Sequence, residues 1–213
     1  IAVSDSPLGP FKQAEQKSVS LSGKQIDPFI FKDANGNLFL YHVRLQNGNR
    51  IFVVKLKKDL SDVADTLATE CVHAQPGWEN TANASWPVAE GPTVIKIKAL
   101  YYLFYSANDF RNIDYAVGYA TAPTPMGPWT KYTGNPIISR KNTQQNGSGH
   151  GDLIAGKNGQ WHYVFHTHQS NSIVGERKTA IIKIDASDNK PVKFSAAPAS
   201  FQYLEVNRTD QVN

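Results

Sequence analysis

The sequence predicts an all-β chain organised as blades of a β-propeller, and three observations carry that reading. Aromatic residues are concentrated in short alternating runs, turn residues interrupt the runs, and one unit of organisation recurs. The 10 Phe, 9 Tyr and 4 Trp fall in stretches such as Asn37-Leu38-Phe39-Leu40-Tyr41 and Leu100-Tyr101-Tyr102-Leu103-Phe104-Tyr105. Period-two runs of aromatic and β-branched residues bounded by Gly, Pro and Asn are strands. Leu60 to Glu70 is the one stretch with room for a helical turn or two.

Taken in order, residues 1–25 read as the back half of a blade, because Ile1 to Lys12 echoes Gly118 to Trp129, with Gly9-Pro10-Phe11 matching Gly127-Pro128-Trp129. The first full unit, 26–85, opens with Ile26-Asp27-Pro28-Phe29-Ile30-Phe31, turns at Asn35-Gly36-Asn37, and continues through Tyr41 and Arg50 to Leu56. The second, 86–148, opens with Ala89-Glu90-Gly91-Pro92-Thr93-Val94 and runs through strands at 100–105, 115–120 and Trp129 to Tyr132. The third, 149–195, opens with Gly149-His150-Gly151-Asp152 and continues through Gln160–His166 and Thr179–Ile184; residues 196–213 read as a C-terminal extension. Asp27 to Glu90 is 63 residues and Glu90 to His150 is 60. A repeat of that size, made of up-and-down strands, is a propeller blade rather than half of a sandwich.

Composition narrows the function. The 213 residues carry 22 basic and 18 acidic side chains, a net charge of +4. Lysines such as Lys55, Lys57 and Lys58 beside Val and Leu read as a solvated strand face, so no nucleic-acid partner is expected. No apolar run reaches the roughly 20 residues of a membrane-spanning helix. The single cysteine, Cys71, excludes an internal disulfide and a cysteine-based metal site. The chain starts at Ile1 without a leader pattern, which reads as upstream processing or truncation.

First strands line a propeller's channel, so residues heading them converge: here Asp27, Glu90 and His150. Paired carboxylates at a channel mouth are the minimum for cleaving a glycosidic bond, one holding a proton for the leaving oxygen and another activating water. The competing reading is that Asp27 and Glu90 only cap strands. His162, His166 and His168 sit at strand spacing, which suggests zinc, but no fourth ligand follows and packed or glycan-facing histidines fit better. Asn83-Ala84-Ser85, Asn146-Gly147-Ser148 and Asn207-Arg208-Thr209 fit the glycosylation triplet.

Asp27-Pro28-Phe29-Ile30-Phe31 with Gly36, Glu90-Gly91-Pro92, Tyr105-Ser106-Ala107-Asn108, Tyr115-Ala116-Val117-Gly118-Tyr119-Ala120, Gly127-Pro128-Trp129 and Gly149-His150-Gly151 together resemble glycoside hydrolase family 43 over residues 1 to about 185. The resemblance implies a five-bladed propeller, of which this chain supplies about three blades and part of another. It implies inverting hydrolysis of plant-type arabinose- or xylose-containing glycans, as an α-L-arabinofuranosidase or β-xylosidase, with endo-arabinanase next. It makes Glu90 the general acid and Asp27 the carboxylate that raises the acid's pKa and orients it. His150 matches a histidine that in many members faces a water-coordinated calcium or other ion; a lone imidazole is a poor direct calcium ligand, so the reading is contact through water or no ion at all, and no cofactor is required. Arg177 resembles an arginine that binds sugar hydroxyls. Phe110, Trp86 and His42 are candidates for the sugar-stacking wall.

The family's general-base Asp has no match in this sequence. Asp5 lies on a back-half strand, and neither it nor Glu15 substitutes. The expectation is therefore an N-terminally shortened enzyme that is inactive alone, with another chain or fragment completing the propeller and covering its open edge. A secreted or periplasmic location is expected. A carbohydrate-binding propeller without catalysis and a scaffold propeller without a ligand are the other readings.

Overall fold

The computed structural model describes residues 1–13, 16–19 and 21–205. It has three antiparallel sheets, each a meander in chain order. The first contains β1 (Gln25–Lys32), β2 (Leu38–Leu45), β3 (Asn49–Leu56) and β4 (Thr69–His73). The second contains β5 (Ala89–Ile97), β6 (Leu100–Ala107), β7 (Ala116–Ala122) and β8 (Thr130–Lys131). The third contains β9 (Gly149–Ala155), β10 (Trp161–Thr167), β11 (Lys178–Ala186), β12 (Phe194–Ala196) and β13 (Gln202–Tyr203). These are three propeller blades with β1, β5 and β9 innermost, β1 touching β5 and β5 touching β9.

Local chemistry sets the turns. Asp33 Oδ1 accepts the backbone N–H of Asn35 and Asn37 at 2.9 and 2.8 Å, and Gly36 follows at φ +76°. This Asx turn reverses the chain between β1 and β2. The packing then follows strand alternation. Tyr101, Leu103 and Tyr105 of β6 enter one core with Phe39, Tyr41 and Val43 of the first sheet. Tyr102 and Phe104 enter a second core with Tyr163, Phe165 and Ile182 of the third. The second blade is therefore the shared middle layer.

Residues 1–12 repeat the outer hairpin of the second blade. Val3 bridges Lys12 as Thr121 pairs Thr130. The Gly9 N–H donates to Ser6 O at 3.0 Å as Gly127 N–H donates to Thr124 O at 3.1 Å. Both glycines have positive φ, +89° and +103°, with the ring of Phe11 or Trp129 3.3 or 3.1 Å from where a Cβ would sit. This is part of a further blade.

One expectation is corrected. Leu60 to Glu70 forms no helix: Asp59 and Asp65 bond the backbone N–H groups of Ser61 and Leu67, both at 3.0 Å, and such local bonds compete with a helix. A short helix, α1 (Arg140–Thr143), forms instead where Asn142 Oδ1 accepts the Ser139 N–H at 2.9 Å. Within the segment read as an extension, Gln202–Tyr203 pairs the Ala180–Ile181 portion of β11, beyond the end that β12 covers. Residues 206–213, with the Asn207 triplet, and Glu15 lie outside the described residues. Among the described residues no helix is long and apolar enough to cross a membrane.

Candidate active site

Every inner strand opens with the same irregularity. Two residues oppose one on the neighbouring strand: Asp27-Pro28 on β1, Gly91-Pro92 on β5 and His150-Gly151 on β9. The first residue of each bulge has positive φ, +53°, +60° and +50° respectively. Bulges of this kind bend the strand and re-aim its side chains, and Asp and His are among the residues that tolerate this conformation. The positional match of Asp27 and His150 is thus Gly91, and Glu90 sits one place earlier. The glycine has a geometric reason: a Cβ at 91 would lie 3.3 Å from the His150 ring. Three heads fit around one axis because the middle one has no side chain.

Hydrogen bonds lock the heads together. Gly91 N–H donates to Asp27 Oδ2 at 3.1 Å, His150 N–H donates to Ser106 Oγ at 2.8 Å, and Thr93 Oγ1 donates to Asp152 Oδ1 at 2.8 Å. Asp27, Gly91, Thr93, His150 and Asp152 line a pocket of about 330 Å³.

Glu90 is buried, and each of its oxygens accepts one hydrogen bond. Tyr115 Oη donates to Oε1 at 2.7 Å and Asn49 Nδ2 donates to Oε2 at 2.9 Å. The His150 ring lies between the carboxylates, Nδ1 3.9 Å from Glu90 Oε1 and Nε2 3.9 Å from Asp27 Oδ1. Burial is the largest influence on Glu90 and pushes its carboxyl up. His150, Tyr115 and Asn49 together outweigh it and hold the group below the usual carboxylate range. Asp27 runs the other way: burial raises it and the charge of Glu90 adds, against opposition from His150 and the Gly91 N–H. His150 is raised, first by Glu90 and then, against burial, by the charge of Asp27. Tyr115 and Asn49 donate to Glu90 with the His150 ring beside it, whereas Asp27 accepts from the Gly91 backbone N–H, so the two carboxyls sit in different surroundings.

The outer residues divide. Trp86 is 49% exposed, and its Nε1–H donates to Asn49 Oδ1 at 3.0 Å, which ties it to Glu90. Phe110 is 38% exposed, with the Arg177 guanidinium 4.9 Å from its ring centre. Arg177 Nη1 donates to His166 Nε2 at 3.1 Å, and the His166 ring stacks on both Tyr115 and His150. Trp86, Phe110 and Arg177 therefore connect to the Glu90–His150 centre. His42 does not: it is 2% exposed, stacks on Phe52 and accepts from Arg44. It lies opposite the Asp27 bulge, on the face of β2 turned away from the second sheet, so it offers no ring to a sugar. Burial lowers its pKa to about 4.

Sequence reasoning missed Asn49, Tyr115 and His166 as site members. Tyr115 heads a family-like motif and Asn49 follows Gly48, whose φ is +115°, but neither pattern names Glu90 as the target.

The zinc reading fails. His168 Nε2 is bonded to Phe110 O at 2.8 Å, and Arg177 takes His166 Nε2. Calcium prefers six to eight oxygens, whereas both ring nitrogens of His150 face carboxylates. Among the described residues no cluster of three or more His, Cys, Asp or Glu side chains has metal-holding geometry. The His150 ring is therefore not placed as a direct calcium ligand.

Comparison with known proteins gives a consistent result. The sequence model of Glycosyl hydrolases family 43 matches residues 1–191. The solved structure of an endo-1,4-β-xylanase from Bacteroides thetaiotaomicron is 38% identical with a TM-score of 0.84, over 92% of this chain and 66% of that one. That of a thermostable family-43 glycoside hydrolase is 35% identical with a TM-score of 0.80, over 92% and 64%. A xylosidase/arabinosidase of Bacteroides ovatus is 27% identical over 78% of this chain and 54% of its own. The chain spans about half the length of the curated relatives it matches.

Proposed function

The chain belongs to glycosyl hydrolases family 43, and from that premise we propose that the whole protein hydrolyses xylose- or arabinose-containing plant-type glycans with inversion, as a β-xylosidase or α-L-arabinofuranosidase. The observation that carries the reading is Glu90: a buried carboxyl at the channel mouth, held at both oxygens, with Asp27 and His150 beside it and the half-exposed Trp86 and Phe110 outside. Glu90 donates its proton to the leaving glycosidic oxygen as the bond from that oxygen to the anomeric carbon breaks. Water adds to the opposite face and loses its proton to a second carboxylate.

The free site holds Glu90 ionised, so it must take up its proton as sugar enters. A bound sugar expels water and strengthens the burial that already favours the neutral acid. Asp27 orients the centre through Gly91 and His150, and Arg177 over Phe110 is placed to bond sugar hydroxyls. The water-activating carboxylate is proposed to come from residues outside this chain. Asp5 borders a separate surface hollow with Ser4 and Lys12, and Asp152 is exposed and bonded to Thr93. A further fragment of the protein would complete the blades, and a secreted or periplasmic location suits a polymeric substrate.

Glu90→Gln in the full-length protein tests this. Hydrolysis of xylo- or arabino-oligosaccharides is expected to fall about 10²–10⁴-fold, with sugar binding retained. Loss on 4-nitrophenyl glycosides should be smaller, since that leaving group departs with little protonation. Unchanged turnover of oligosaccharides would remove Glu90 from the role.

A further inference from the structure

We infer that Asn49 is a positioning residue for Glu90, and that Trp86 fixes the Asn49 amide so that the acid's proton resides on Oε1. The inference rests on the reading of Glu90 as the acid. An indole N–H can only donate. Trp86 Nε1–H therefore requires an acceptor, and it meets Asn49 at 3.0 Å; the atom facing it must be Oδ1. The amide nitrogen is then left to face Glu90 Oε2, 2.9 Å away. The two contacts determine the amide orientation together, one by elimination and the other by distance. Asn49 is itself anchored, its backbone N–H donating to Pro87 O at 2.9 Å. Gly48 allows that approach, since a Cβ there would come within 2.4 Å of the same oxygen.

The consequence is asymmetry between the carboxyl oxygens. Nδ2 carries hydrogens and no acceptor lone pair, so it favours a bare Oε2 and disfavours a proton on that side. The partner of Oε1 is a phenol hydroxyl, Tyr115 Oη at 2.7 Å, which can donate to a carboxylate or turn and accept from the acid. A proton arriving at Glu90 is accommodated at Oε1 and opposed at Oε2. The charged or titratable groups facing Glu90 are Tyr115 before β7, His150 on β9 and, beyond His150, Asp27 on β1; His166 and Arg177 lie behind His150. Trp86 is both a half-exposed ring and the latch of this amide, so a ligand that displaces the indole N–H would release Asn49 to rotate.

The test is the pH profile of kcat/KM in the full-length protein on xylo- and arabino-oligosaccharides, whichever are turned over, since their leaving groups need the acid's proton. The alkaline limb reports the acid losing its proton. Removing a donor from the carboxylate in Asn49→Ala is expected to move that limb upward by about one unit, about a tenfold change in protonated fraction on the alkaline side. Asn49→Asp should move it further, because an acceptor then faces Oε2. Trp86→Phe keeps an aromatic ring and removes only the N–H. It should move the limb in the same direction by less, and it serves if the Asn49 variants do not fold. A purely structural Asn49 would lower Tm and leave the limb in place, and that result in Asn49→Ala, or in Trp86→Phe where the Asn49 variants do not fold, overturns the inference. Glu90→Gln is run alongside: if it loses oligosaccharide hydrolysis while the limb stays fixed, only the positioning role fails. If it stays active, the acid assignment fails and the inference with it.

Discussion

The imidazole of His150 is wedged between two carboxylates, and that arrangement makes stability depend on pH. Its pKa is raised in the fold, so its stabilising contribution is fully present below the unfolded histidine value of about 6.5. As pH rises past that value the unfolded chain releases its proton first, and the contribution declines until the raised folded pKa is passed. Tm of the full-length protein is therefore expected to fall between pH 6.5 and the alkaline side. His150→Asn, which also tolerates the +50° φ, should flatten that fall. An unchanged slope in the variant would show that another group governs it. At the same scale the sequence was partly legible. Asp27, Glu90 and His150 stood out as strand heads, but the bulge places Gly91, not Glu90, in register with the other two. Asn49 and Tyr115 were illegible because each reaches Glu90 across 41 and 25 residues of chain, and no local pattern encodes such a contact.

Among the elements, the connection from β4 to β5 decides where Trp86 stands. It is fastened by Glu79, which is 2% exposed. Its Oε1 accepts from Tyr105 Oη at 2.5 Å, and its Oε2 accepts from Lys131 Nζ at 2.5 Å and Gln75 N–H at 2.7 Å. Asn108 adds the next pin, bonding Trp78 O and the Thr81 N–H. A buried pair of this kind is costly to half-remove, since the partner charge stays behind. Glu79→Ala is expected to destabilise the full-length protein by about 3 kcal/mol, read as a lower urea midpoint, with Glu79→Gln milder. Equal stability of Glu79→Ala and the parent would contradict it. Strand existence was legible from alternation, whereas the failed helix at 60–70 shows Asp side chains diverting the backbone into local turns.

For the molecule as a whole, the second blade holds the other two. Phe104 is fully buried and packs against Tyr119, Tyr163 and Phe194, while its neighbours Leu103 and Tyr105 face the first blade. Phe104→Ala should cost about 3–5 kcal/mol. Hydrogen exchange should accelerate more in β9–β11 than in β1–β3, because the cavity opens on the third-blade side. Uniform acceleration would mean that the blades open as one unit. The hairpin at 1–12 repeats the outer strands of the second blade, and the chain accordingly supplies three blades and part of another of the family's five-bladed fold.

Alternation and recurrence are local properties of a chain, so the sequence by itself determined the strands, the blade repeat, the family and the three heads of the channel. Register and convergence are not local. The tertiary structure alone decided that a shared bulge offsets Glu90 from its apparent equivalents and that His42 turns into the protein while Trp86 stays exposed on Asn49. It also decided that donors from separate loops hold Glu90 ionised. The physical reason is that a carboxyl's proton affinity is set by what lies within a few ångströms in space, and neighbours in sequence supply almost none of it here.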